Sequence, residues 1–352
     1  MRPAELHPEV WAALQRWRAR LPQALLVTGA PGIGKFDLMR AFVADLFCES
    51  PLPEGQGCGH CEGCHWFSLG NHPDFRVLVP KAMEEVLGLA READEESDAK
   101  ASQKKPSKEI VIDQVRGLEG LLSVGSYRHG MRVALIYPAE DMNRNTANAL
   151  LKSLEEPPPN TLFCLVSGNP AQLLPTIRSR CQHLPIPMPT PARSLAFLRA
   201  QGISDEREAQ RYLALAGGAP KLAVTLADKN TFPWLSMLLE QLGRGRQMDP
   251  LAAAGELDTL IRSVKEVAAL QPCVMWVQKW VSDLALVSQG YTPRYFVSEQ
   301  SALDNLSKEV PLRGLLTYYR KILLPLQQEA AQPLNVRLFL ESLLLGYRKL
   351  FI

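Results

Sequence analysis

No apolar run in this sequence approaches the ~20 residues that a membrane-spanning helix needs. A surplus of charge is lacking as well: 39 Lys and Arg stand against 37 Asp and Glu, for a net charge of +2. The first predicts a chain without a transmembrane helix. The second argues against a polybasic nucleic-acid binder, so any contact with DNA has to be local or shared. The leading thirty residues include Glu5, Glu9 and several arginines, unlike a secretory leader, and the chain reads as cytoplasmic. The seven cysteines are an odd number. Four of them crowd into 48–64, which points to metal rather than disulfides in a reducing compartment.

What is present is a chain of 352 residues, 46% of them hydrophobic, enough for two or three domains with sizeable cores. The apolar stretch 24–28 runs into Gly29-Ala30-Pro31-Gly32-Ile33-Gly34-Lys35 and then into an amphipathic stretch over 36–46. This is a strand, a glycine loop and a helix. Further strands are expected over 75–79, 132–137 and 161–167, with helices over 112–122 and 146–154. Alternating strands and helices predict an α/β domain with a parallel sheet covered on both faces.

Over 81–109 the pattern breaks into an acidic stretch with Glu92, Asp94, Glu95, Glu96 and Asp98, then a lysine-rich one with Lys100, Lys104, Lys105 and Lys108. Too little apolar surface is available there to offset ordering entropy, which predicts a mobile surface insertion. Pro185, Pro187, Pro189 and Pro191 mark a domain boundary near 187, because alternating prolines neither continue a helix nor pair in a central strand. Beyond it the periods are helical: a small bundle over 191–227 and longer helices over 233–352. Asn335 is placed to cap the last helix, whose Val336, Phe339, Leu340, Leu343, Leu344 and Tyr347 form one wide apolar stripe.

The glycine loop fits G-x-x-x-x-G-K, in which backbone N–H groups and a helix start cradle phosphates while Lys35 meets the terminal ones. The next residue in a working loop carries a hydroxyl for Mg²⁺, and here it is Phe36, whose ring cannot coordinate a hard cation. The strand that in P-loop enzymes ends in an Asp for the metal and a Glu for the water ends here in Tyr137-Pro138-Ala139-Glu140-Asp141. Both metal-handling positions are lost together. Little or no ATP hydrolysis is expected, while Gly29, Gly32, Gly34 and Lys35 leave nucleotide binding open.

Cys48, Cys58, Cys61 and Cys64 give C-x9-C-x2-C-x2-C, and the two tight spacings suit the knuckles that hold tetrahedral Zn²⁺. His60 and His65 are near enough to compete, but four cysteines make the simpler site. Gly55, Gly57, Gly59 and Gly63 make a poor hydrophobic core, which disfavours unmetallated buried thiols. Residues 45–70 hold no Lys or Arg, so a structural clip is expected rather than a nucleic-acid finger.

The segment Leu151-Lys152-Ser153-Leu154-Glu155-Glu156-Pro157-Pro158 is followed by a buried strand and then by Ile177-Arg178-Ser179-Arg180-Cys181. Taken alone, Ser-Arg-Cys is read first as the site of a surface salt bridge. An arginine beside a small hydroxyl residue also suits a reach toward a neighbour's phosphate.

Together the loop at 29–35, the zinc cysteines, Ile112-Asp113-Gln114-Val115-Arg116, the Leu-Glu-Glu-Pro segment and Ser179-Arg180-Cys181 resemble the clamp-loader subunits of the AAA+ superfamily. The set is most similar to the delta-prime family of bacterial DNA polymerase III. The resemblance covers 24–181 well, and the C-terminal third only by its helical character. It implies a RecA-like AAA+ domain over 1–187 with a zinc module at 45–70, a helical lid over 188–229, and a helical collar over 230–352 that joins subunits in a five-membered ring. It implies as partners the ATP-hydrolysing tau/gamma-type subunits and delta, and through the complex the sliding clamp and primer–template DNA. In that family the Ser-Arg-Cys arginine acts in trans as an arginine finger, which maps onto Arg180 with Ser179 beside it. The active relatives carry a sensing arginine in Gly-Ser-x-Arg, whereas this chain reads Gly217-Gly218-Ala219-Pro220. The expectation is thus a non-hydrolysing subunit with one structural zinc. Two rival readings are an ATPase that recruits metal through Glu140 or Asp141, and a freestanding zinc-dependent nucleic-acid binder.

Overall fold

The computed structural model describes residues 1–52, 55–89, 106–123, 130–228, 233–263, 270–330 and 335–352. They divide into two compact units, Met1–Arg193 and Ser194–Ile352. The division falls within the helix Pro191–Ala200. The lid–collar boundary expected at 229/230 lies outside the described residues, as does 90–105 of the expected insertion. The start of that insertion carries a short helix, Lys81–Glu84.

The first unit is built on a parallel sheet of β1 (Ala24–Thr28), β2 (Phe75–Leu78), β3 (Arg132–Ile136), β4 (Thr161–Ser167) and β5 (Gln182–Pro185), in the order β2-β3-β4-β1-β5. Every residue of β3 and β4 is buried, so these strands read as continuous apolar runs rather than alternating ones. That is the signature of a sheet whose faces are both covered. β1 lies between β4 and β5, with Val27 beside Val166 on one side and Leu184 on the other. The glycine loop therefore leaves the sheet from an interior strand.

β5 has no counterpart among the strands expected from sequence. Only Leu184 of its four residues is buried, so it shows no apolar run. It lies at the sheet edge with Pro185 beside Thr28, where a residue without an N–H is tolerated. The helix Arg144–Glu155 starts at Asn143, whose side chain accepts the Thr146 N–H, and turns Ala147, Leu150 and Leu154 into the core. Thr146 is fully buried and donates its hydroxyl to the Ile110 carbonyl, which fixes this helix against the segment before Ile112–Ser123.

The second unit is helical. It begins within the helix Pro191–Ala200 and goes on with Glu206–Leu215 and Pro220–Ala227 in the region expected as a lid, then Leu235–Gly243, Pro250–Ser263, Leu270–Ser288 and Val336–Arg348. Asn335 caps the last of these through the Arg337 and Leu338 N–H groups, as its place in the sequence predicts. Phe339, Leu340, Leu343, Leu344 and Tyr347 of the expected stripe are buried within the unit. Tyr347 joins three elements: its hydroxyl accepts from Trp280 Nε1 and donates to the Leu242 carbonyl, each at 2.9 Å. Asp283 is fully buried and accepts the N–H groups of Arg294, Tyr295 and Phe296 at 2.8–2.9 Å. Helix Leu312–Tyr318 passes through a wide π-turn, Tyr319–Leu323, into Leu324–Glu329. Pro325, the second residue of that last helix, lacks the N–H for a regular helical bond back to the turn, which accounts for the widening.

Candidate functional site

The glycine loop closes as the motif predicts. A Cβ at Gly29 would lie 2.6 Å from the Ile186 carbonyl oxygen and 2.8 Å from Ile33 Cδ1, so only glycine fits there. Gly34 sits at φ +89° as the residue before the helix Lys35–Leu46, and Gly32 is at φ +77°. From the N-terminal segment, His7 is buried and its Nε2–H donates to the Ile33 carbonyl at 2.6 Å. Burial lowers the His7 pKa, and the hydrogen bond to the Ile33 carbonyl works against that shift.

Lys35 turns back into its own loop. Its ammonium donates to the Gly29 and Ala30 carbonyls, each at 2.8 Å. Burial lowers its pKa to about 8, with the charge of Glu140 working against that shift. At the next position, the ring of Phe36 stacks on that of Tyr137 with centroids 4.9 Å apart and planes at 28°. The two positions that departed from a metal-handling pattern in the sequence are thus one contact in space. Glu140 does not face that pair as a free carboxylate. Its Oε1 accepts the Gly168 and Asn169 N–H groups at 2.8 and 3.0 Å, tying the turn after β3 to the end of β4. Asp141 has its pKa raised to about 6 by burial first, then by the charges of Glu140 and Glu109.

Cys48, Cys58, Cys61 and Cys64 bring all four sulfurs within 4.8 Å of one another, and neither His60 nor His65 joins them. Four sulfurs each ~2.3 Å from a tetrahedral Zn²⁺ stand ~3.8 Å apart. The Cys48–Cys61 separation is 3.9 Å, so the donor set fits the ion. Backbone N–H groups of His60 and Cys61 point at Cys58 Sγ, and that of Cys64 at Cys61 Sγ, all at 3.4 Å. The two bonds to Cys58, the His60 one foremost, lower the Cys58 pKa to about 6 and favour the thiolate that a metal requires. Gly63 is indispensable, since a Cβ would meet the Phe47 carbonyl oxygen at 2.2 Å. Cys48 follows the P-loop helix Lys35–Leu46 by two residues, so that helix carries Lys35 at one end and a thiol ligand just past the other.

Ser179 and Arg180 form a separate group in the turn between the helix Pro175–Arg178 and β5. Ser179 Oγ donates to the Thr176 carbonyl at 3.1 Å. Arg180 Nη1 donates to the same carbonyl at 2.9 Å, and Nη2 lies 2.5 Å from Glu155 Oε1. The salt bridge that the arginine alone suggested is there, with a partner that sequence reasoning did not single out. Consecutive acids at a helix C-terminus were the available signal, because the helix dipole disfavours them unless a cation stands near.

A family model described as DNA polymerase III, delta subunit, matches residues 7–190, essentially the α/β unit. The DNA polymerase III subunit delta' of Haemophilus influenzae is 31% identical over 288 residues, 80% of this chain and 80% of that protein. The chain belongs to the delta-prime family. The delta-prime subunit of Pseudomonas aeruginosa is 39% identical over 228 residues, 63% of this chain and 62% of that protein. The Escherichia coli delta-prime subunit is 30% identical over 203 residues. That match spans 58% of this chain and 54% of the relative. The match thus spans less than two thirds of the Pseudomonas and Escherichia delta-prime subunits and four fifths of the Haemophilus one. Among solved structures, a gamma subunit-related protein of Thermotoga maritima aligns over 97% of this chain and 99% of that chain at 15% identity. The TM-score is 0.39, a likeness too slight to decide anything. Membership of the delta-prime family agrees with the parallel α/β unit and the four-cysteine cluster seen here. No described helix is long and apolar enough to cross a membrane.

Proposed function

We propose that this chain is the non-hydrolysing subunit of the DNA polymerase III clamp loader, which places the sliding clamp on primer–template DNA. It would act in the cytoplasm within a five-membered ring with tau/gamma-type ATPase subunits and delta, joined through residues 230–352. The observation that carries the reading is the Phe36–Tyr137 stack. Two aromatic rings fill the two positions from which a hydrolysing P-loop coordinates Mg²⁺, and Pro138 stands where the water-polarising Glu belongs. Lys35, spent on its own loop carbonyls, supports the same conclusion: bound ATP would have to draw it away from two hydrogen bonds.

The chain's contribution to chemistry lies at its surface. Arg180 offers a guanidinium, about one-third exposed, that can meet a phosphate on the adjacent subunit. A finger of this kind stabilises charge on the transferring phosphoryl group and needs no working P-loop in its own chain. Zinc, held by Cys48, Cys58, Cys61 and Cys64, would supply a structural cross-link and no chemistry. With no Lys or Arg across 45–70, the zinc module adds no basic surface for DNA.

The test is ATP turnover by a reconstituted loader, stimulated by clamp and DNA, with Arg180→Ala or Lys35→Ala in this chain alone. A finger is worth ~10³-fold or more at the site it completes. Loss with Arg180→Ala and none with Lys35→Ala is the expected result. A share of turnover lost with Lys35→Ala would mean that this chain hydrolyses ATP itself.

A further inference from the structure

The turn that carries Arg180 is fixed at its base. Ile177 on one side is fully buried and Cys181 on the other nearly so, both within the core of the α/β unit. Backbone bonds from Ser179 N–H to the Pro175 carbonyl and from Arg180 N–H to the Ile177 carbonyl close the turn. What the backbone leaves undetermined is the direction of a long, flexible side chain. Two contacts settle it: the Thr176 carbonyl takes one guanidinium nitrogen, and the Glu155 carboxylate, from another element, takes the other.

Glu155 is an odd residue to find at its position if it serves the helix alone. It is the last residue of Arg144–Glu155, followed by Glu156, at the end of the helix where the dipole disfavours negative charge. Local stability argues for a cation or a neutral residue there. An acid in that place is accounted for by the guanidinium it holds.

We infer that Glu155 is a positioning residue for Arg180, aiming the guanidinium so that its remaining N–H groups face outward toward an anionic phosphate of a neighbouring subunit. The inference rests on the proposed role of Arg180 in trans. Of the five guanidinium N–H groups, these two contacts engage one on each terminal nitrogen, which leaves the fork held but not saturated. Pre-aligning it spares the transition state the ordering of four side-chain torsions. The effect of Glu155 passes through the guanidinium it holds.

The experiment uses the reconstituted loader with the corresponding arginines of the other subunits replaced by alanine. The remaining turnover then reports the site that this chain completes. Glu155→Gln keeps size and hydrogen-bonding capacity but removes the charge. An exposed ion pair is worth enough to change the aligned population by about two- to fivefold. The expected result is a drop of that size in kcat with KM for ATP unchanged, partial rescue by Glu155→Asp, and no change in ring assembly by size-exclusion chromatography. Unchanged kcat, or a rise in it, would overturn the inference; a rise would mean that Glu155 withholds the arginine. If Arg180→Ala also leaves turnover intact, the trans role itself falls. Loss with Arg180→Ala and none with Glu155→Gln removes only the positioning role.

Discussion

Phe36 and Tyr137 stack ring on ring across the gap between the P-loop helix and the end of β3, with centroids 4.9 Å apart. One residue lies in the first turn of a helix and the other follows a strand, about a hundred positions later. The two departures from the hydrolysing pattern thus share one contact in the fold.

That pairing predicts a measurable coupling. Phe36 is almost fully buried, and truncating a buried Phe to Ala costs ~3–5 kcal/mol. In a double-mutant cycle with Tyr137→Ala, the two losses should fall short of additivity by ~0.5–1.5 kcal/mol, the usual worth of an aromatic pair. Denaturant midpoints of the four proteins decide it, and strict additivity would mean that the rings merely coexist.

The cysteine cluster predicts about one zinc per folded chain. Cys61→Ser should lose the metal and lower the thermal midpoint together, since a closed structural site links binding to folding. Metal content by atomic absorption and a thermal melt on the same samples make the check. A wild-type preparation that is metal-free and equally stable would refute it.

Asp141 predicts a pH effect of defined sign. Its pKa is raised from 3.8 to about 6 in the folded state, so the native protein holds this proton more tightly than the unfolded chain does. Its stabilising contribution is complete below the unfolded value and is lost as pH rises through about 6. Asp141→Asn should therefore be more stable than wild type at neutral pH, with the advantage fading as pH falls toward about 4. Urea midpoints of both proteins across that range test it, and a constant difference would contradict it.

Asp283 makes a further prediction in the helical unit. Its carboxylate is fully buried and collects three backbone N–H groups. Asp283→Ala would leave those donors unpaired, at a cost on the order of 3 kcal/mol or more. Equilibrium unfolding measures it. Because the donors lie in 294–296, faster amide exchange should appear there first.

Much of the fold was legible because it rests on local patterns. β1 and β4 fall on the residues that their apolar runs mark, and the Asn335 cap follows from one side chain at one helix start. The four cysteines converge because their spacing leaves few alternatives. β5 was illegible: an edge strand with a single buried residue leaves no periodic trace. The partners of Lys35, Glu140 and Arg180 were hidden for a different reason. They depend on contacts between residues such as Glu140 and Gly168, or Glu155 and Arg180, that adjoin only once the sheet has formed. The Ile33 carbonyl that His7 grips is likewise silent in the sequence.

The four sulfur ligands do not come from one piece of chain. Three lie within seven residues of each other, while Cys48 arrives from just beyond the helix that begins at Lys35. A short peptide spanning 55–70 would hold its ion through three thiolates, and the full domain through four. The difference between those two affinities contains the free energy that couples metal binding to the end of the P-loop helix. Metal competition with a calibrated chelator thus becomes a gauge of docking, readable at equilibrium without unfolding anything. By reciprocity, a cell poor in zinc would loosen the far end of the helix whose first turn holds Lys35 and Phe36 in place.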